Sequence, residues 1–106
     1  MRGTMIVEVT NYFAKEGQAS AVLEQRRAAT RLRQRLGLKP GQILVKRDGK
    51  GPDVRWECAF ASDDEFKADM AARGACEEFE QARKTMHTLL ERFERHVYVR
   101  DEQASP

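Results

Sequence analysis

The chain has 106 residues, 41% of them apolar and 34% charged, with a formal net charge of +2. Such a length suits one domain with a modest core that gains from self-association. The composition excludes a disordered chain, and no apolar run approaches the ~20 residues of a membrane span. The N-terminus lacks a secretory-type apolar stretch, and Cys58 and Cys76 form no CxxC pair, so the sequence reads as cytoplasmic, with reduced thiols. The small net charge hides an imbalance. Residues 1–52 carry 11 Lys/Arg against 4 Asp/Glu, and residues 53–106 carry 8 against 13. A basic half and an acidic half in one small domain most simply attract each other.

Residues 1–4 read as an extension and 5–100 as the domain. "MIVEVTNYF", 5–13, is β-branched and aromatic and predicts a strand. Its two faces are Met5, Val7, Val9, Asn11, Phe13 and Ile6, Glu8, Thr10, Tyr12. Residues 18–36 predict a helix with Val22, Ala29 and Leu36 on one stripe, stopped by Gly37 and Pro40. "QILVKR", 42–47, and "VRWECAFA", 54–61, joined by the turn cluster "DGKGPD", predict a hairpin. Ser62-Asp63-Asp64-Glu65 fits a capping box opening a short helix to about Gly74. Phe79, Ala82, Met86, Leu89, Leu90 and Phe93 predict a longer amphipathic helix, and "HVYVR", 96–100, a short last strand before the polar tail 101–106.

The order β-α-β-β-α-β is that of the ferredoxin-like split βαβ fold, an α+β domain with a four-stranded antiparallel sheet and both helices on one face. The other face lies bare in a monomer. With Ile6, Tyr12, Leu44 and Ala59 on it, it is a natural self-association surface, and a Glu8–Arg55 pair across strands would fix register there.

The two histidines, His87 and His96, stand nine residues apart, about half a turn out of phase on a helix at ~100° per residue. They are not a local pair. His96 falls where the helix should end, so capping suffices for it. His87, at the edge of the apolar stripe, is either a structural rim residue or a base. No residues cluster at metal spacing, so no metal is expected. In the first helix Arg26 and Arg33 lie about 40° and 20° from Val22, inside the apolar stripe. Either they pair with acids of the second half, or they hold a ligand carboxylate or phosphate. Arg27, Arg31 and Arg35 point outward. Without an aromatic–basic RNA motif or a helix-turn-helix they do not make a nucleic-acid footprint. Trp56, Cys58 and Phe60 share a face with Val54. Placed beside Val9, Asn11 and Phe13, they would make an apolar aromatic wall with one amide, which is either core or a ligand pocket. Asn11 is the least comfortable as filler, because a buried amide needs partners. Cys76, beside Glu77 and Glu78, is a poor nucleophile.

On its element order, the "TNYFAKEG" exit from the first strand and the "ECAFASDDEF" passage into the acidic helix start, the chain resembles the dimeric α+β barrel superfamily, closest to its antibiotic-biosynthesis-monooxygenase-like and NIPSNAP-like groups. The resemblance implies a homodimer in which two sheets close face to face, with ligands between the sheet and the helices of each subunit. It implies Asn11 at the position of an Asn that haem-degrading members use. Met70 stands where those members have Trp, and Ala82 or Arg83 where they have His, so no haem or other cofactor is expected. The functional expectation is a homodimeric protein binding a small aromatic or quinol-like ligand, with Asn11 and His87 as catalytic candidates and Trp56, Phe60, Arg26 and Arg33 as ligand contacts. Cofactor-independent oxygenation of the ligand is one reading, and a non-catalytic dimeric interaction or ligand-sensing module is the other.

Overall fold

A computed structural model describes residues 4–101; the first residues and most of the polar tail lie outside them. The elements are β1 (Ile6–Ala14), α1 (Ala19–Arg35), β2 (Gln42–Val45), β3 (Val54–Phe60), α2 (Asp63–Gly74), α3 (Glu77–Leu89) and β4 (Leu90–Val99). The strands form one antiparallel sheet in the order β2-β3-β1-β4, the ferredoxin-like topology. The helices lie on one face. The shortest extent of the molecule is 18 Å, about the thickness of one sheet and one helix layer, so among the described residues nothing covers the second face.

Local chemistry sets most boundaries where the sequence predicts them. Ser62 caps α2 by accepting from the Glu65 N–H at 3.1 Å, and the Glu65 carboxylate reaches back to the Ala61 N–H, one residue before the cap. That bond, with Lys39 at 3.0 Å, holds the Glu65 carboxyl below its usual range. At the end of α1, the Leu38 N–H bonds the Arg33 carbonyl and the Gly37 N–H that of Gln34, a Schellman closure for which Gly37 supplies the positive φ of 75°.

Two expectations are corrected. The last strand begins at Leu90, so Phe93 belongs to it and the third helix ends at Leu89. "LERFER" has residues that suit a helix, but β1 offers nine residues of unpaired edge and pairs with β4 from Ala14 to Ile6. Ladder hydrogen bonds along that edge outweigh local propensity. A register break at Phe13/Ala14 leaves Glu91 unopposed, which lets both Leu90 and Phe93 face the helices. His96 consequently lies mid-strand opposite Val9, not at a helix terminus.

The second correction is the facing of β1. Opposed residues in an antiparallel pair share a face, and the register sets Ile6, Glu8, Thr10 and Tyr12 against Phe60, Cys58, Trp56 and Val54. The even-numbered residues of β1 therefore face the helices, and Val7, Val9, Asn11 and Phe13 face the open side. Ile6 and Tyr12 join the core with Val22, Val54, Trp56, Cys58, Phe60, Met86 and Leu90. The odd set is the more apolar, so alternation alone points the wrong way. Glu8 can face inward because arginines from remote segments meet it there.

Candidate functional site

Beneath the helices a chain of ion pairs crosses the helix face of the sheet. Arg33, 1% exposed, holds Asp69 of α2 with both terminal nitrogens, at 2.6 and 3.2 Å. Asp69 also meets Arg73 Nε at 3.0 Å. Arg73 then grips Glu8 with two bonds of 3.0 and 3.1 Å, and Arg95 of β4 completes Glu8 at 2.8 Å. Glu8 is 1% exposed. Carboxylates this deep persist only when paired and hydrogen-bonded. The network joins the basic and acidic halves, as do Arg35–Glu78 and Lys39–Glu65 at the surface. Arg33 is further fixed by donating from Nε to the Lys39 carbonyl at 2.6 Å, just past the helix stop that its own carbonyl helps build.

Arg26 differs. It is 7% exposed, yet among the described residues no carboxylate pairs with it. It donates to two hydroxyls, Tyr12 Oη at 3.1 Å and Thr30 Oγ1 at 3.3 Å, and its Nε has no acceptor. Its charge is steadied by Trp56, whose ring centroid lies 4.6 Å away; Arg33 approaches the same ring at 4.9 Å. Trp56 is itself anchored by its indole N–H on the Pro40 carbonyl at 2.9 Å. The chain passes so close here that a Cβ on Gly41, at φ 68°, would fall 2.6 Å from the indole nitrogen.

Above these groups lies a cavity of about 390 Å³, between the sheet, α1, α2 and α3. Its size and largely apolar wall suit a small ligand. Trp56, Phe79, Met86, Leu90 and Phe93 supply that wall, with Tyr12 and Arg26 beside them. Five arginines line it (Arg26, Arg33, Arg73, Arg83 and Arg95), against Glu8, Glu80 and, within the network, Asp69. The excess of cation favours an anion. Arg83 holds the Glu80 carboxyl below its usual range through a 2.6 Å bond. Burial pushes the Cys58 thiol up despite the nearby Arg33, so Cys58 is an inert core residue.

Of the residues singled out from sequence, Trp56, Arg26, Arg33 and His87 come together on this cavity. His87 projects from α3 and meets the Phe93 ring edge-on at 4.8 Å. Asn11 and Phe60 do not join them. Asn11 faces the open side, where it donates to Glu94 at 3.4 Å, because the β1 register is offset by one residue from the expected facing. Phe60 packs on Phe66 toward the other end of the sheet. The expected Glu8–Arg55 pair is absent for the same reason: Arg55 bonds Glu57 at 2.9 Å on the open face. His87 and His96 stand on different elements and different sides of the sheet, so they make no pair. Sequence reasoning missed Glu8, Tyr12, Asp69, Arg73 and Arg95, whose signal is only their meeting in space. Among the described residues no group of three or more His, Cys, Asp or Glu is placed to hold a metal ion.

No protein-family model matches the chain, and no curated protein matches it. Solved structures do. A NIPSNAP family protein of Agrobacterium tumefaciens superposes with a TM-score of 0.74 at 18% identity, over 98% of this chain and 92% of that one. A protein of Nitrosomonas europaea, provisionally named an antibiotic biosynthesis monooxygenase, gives 0.70 at 16% identity, over 99% and 98%. The fold shared with these structures is the ferredoxin-like α+β fold. A third neighbour, from Bacteroides fragilis, is described as a dimeric protein of unknown function with a ferredoxin-like fold; it gives 0.67 at 13% identity, over 90% and 95%. The likeness is one of fold, and a shared fold does not by itself assign a reaction. No helix among the described residues is long and apolar enough to cross a membrane.

Proposed function

We propose that the protein is a homodimer that binds a small aromatic or quinol-like ligand between its sheet and helices and oxygenates it without a cofactor. The cavity of about 390 Å³, apolar and aromatic around a buried arginine that has no counter-ion among the described residues, carries this reading. In such chemistry the ligand supplies the electrons: a ring CH2 and O2 give a ring carbonyl and water. The protein's part is to orient the ring, exclude water and take a proton. Trp56 and Phe93 bound the ring's space, Arg26 steadies negative charge, and His87 is the base within the cavity. Arg33 holds Trp56 and Asp69 in place rather than reaching the ligand. Dimerisation is supported by the uncovered second sheet face, where the Asn11 side-chain oxygen Oδ1 is buried without a hydrogen-bond partner among the described residues, and by the dimeric neighbour of the same fold.

Trp56 is the chain's one tryptophan, so its fluorescence reports directly on the cavity. Titration with aromatic acids and quinols should quench it, and oxygen uptake should follow with the productive ligand. His87→Ala should abolish uptake while leaving quenching. Absence of any quenching would overturn the reading.

A second reading, a ligand-sensing dimer without catalysis, draws on the pairing of Arg33, Arg73 and Arg95 with Glu8 and Asp69, which makes that part of the wall scaffold. Quenching without oxygen uptake by any ligand would select it.

A further inference from the structure

We infer that Tyr12 and Arg26 together form an oxyanion-receiving subsite, so that the cavity takes its ligand in ionised form, as an aromatic carboxylate or phenolate, in preference to the neutral molecule. This rests on the binding reading above and adds Tyr12 as a specificity-determining residue.

Tyr12 is 8% exposed and lines the cavity. Its hydroxyl oxygen accepts from Arg26 Nη1 at 3.1 Å. That bond occupies a lone pair and leaves the phenolic hydrogen to be donated elsewhere. Among the described residues no acceptor takes it. Donation from a guanidinium also polarises the hydroxyl and strengthens it as a donor. Arg26 has the same surplus. Each terminal nitrogen carries two hydrogens, and each nitrogen makes a single bond, one to Tyr12 and one to Thr30. The other arginines of the network are matched to Asp69 and Glu8. Arg26 alone in that group is buried with no carboxylate beside it among the described residues, and both its side-chain partners are neutral hydroxyls. A buried cation of this kind is costly unless a negative charge joins it. A ligand oxyanion placed beside Tyr12 and Arg26 meets a phenolic hydrogen, guanidinium hydrogens and the missing counter-charge at once. The apolar wall of Phe79, Met86 and Leu90 then takes the ring.

The test compares acid and amide of the same ring: benzoate, 2-naphthoate and anthracene-2-carboxylate, each against its carboxamide, by Trp56 fluorescence with the full-length protein. For the ring that fits, the wild type should bind the acid about tenfold or more tighter than the amide, as hydrogen bonds to a charged group imply. Tyr12→Phe, which keeps the ring and removes the hydroxyl that donates to the ligand and accepts from Arg26, should cut acid affinity severalfold and amide affinity by less. Arg26→Gln should erase the preference, with circular dichroism confirming the fold. Amides binding as tightly as acids, or acid affinity unmoved by Tyr12→Phe, would overturn this inference while sparing the binding reading. No binding by any of the six compounds would overturn this inference, and the absence of quenching by quinols as well would overturn the binding reading.

Discussion

The two faces of the sheet handle charge in opposite ways, and β1 contributes to both. On the helix side, Glu8 and Asp69 are almost wholly buried and each is met by two arginines, all remote in sequence except Arg73, which lies one turn from Asp69 on α2. On the open side, Glu94 is half-buried, accepts one long bond from Asn11, and has Arg92 and His96 each 3.8 Å away. The same residue type is a structural keystone on one face and a solvated group on the other. The difference teaches that burial, and not the number of charged neighbours, decides what an ion pair is worth.

The sharpest way to break that comparison is to neutralise one carboxylate on each face. Asp69→Asn leaves Arg33 without a carboxylate in a dry site and should cost about 3–5 kcal/mol in urea unfolding. Glu94→Gln, measured the same way, should cost about 0–1 kcal/mol. Equal losses would mean that the helix-side network is as solvated as the open face. Next in size is Gly41→Ala, which forces a side chain into a positive-φ position against the Trp56 indole. It should destabilise by about 2–4 kcal/mol and blunt ligand quenching of Trp56. Ser62→Ala removes the α2 cap, and with it part of the support for Asp69; a loss of about 1 kcal/mol is expected.

The smallest effect is one of pH. The Glu65 carboxyl titrates below its ordinary value in the fold, through the Ala61 N–H and Lys39. A lowered folded-state pKa contributes stability that is fully present above the unfolded value and is lost as pH falls through the folded one. The stability gap between wild type and Glu65→Gln should therefore be open at neutral pH and close below about pH 4. A gap that does not narrow as the pH falls would show that the side chain acts by packing instead.

Much of this was legible from the residues in order. Turn clusters, the Ser62 cap, the Gly37 stop and the element order lead to a ferredoxin-like α+β fold, and the stripe geometry of the first helix places Arg26 and Arg33 inward. Each is a local matter, settled within a few residues by backbone conformation or helical phase. Which side of β1 faces the helices was not local. A one-residue shift exchanges every side chain between faces, and the greater apolarity of Val7, Val9 and Phe13 favours the wrong answer. Only the tertiary structure, by bringing Arg73 and Arg95 to Glu8 and Arg26 to Tyr12, made the polar set the inner one. The start of β4 was decided likewise, since Leu90–Arg95 becomes strand only because β1 lies alongside as an open edge. Sequence by itself determined the order of the elements and the inward arginines, because those follow from near-neighbour chemistry. The cavity, its charge and the exchange of Asn11 for Tyr12 belong to the tertiary structure, because they depend on pairings between residues up to 87 positions apart.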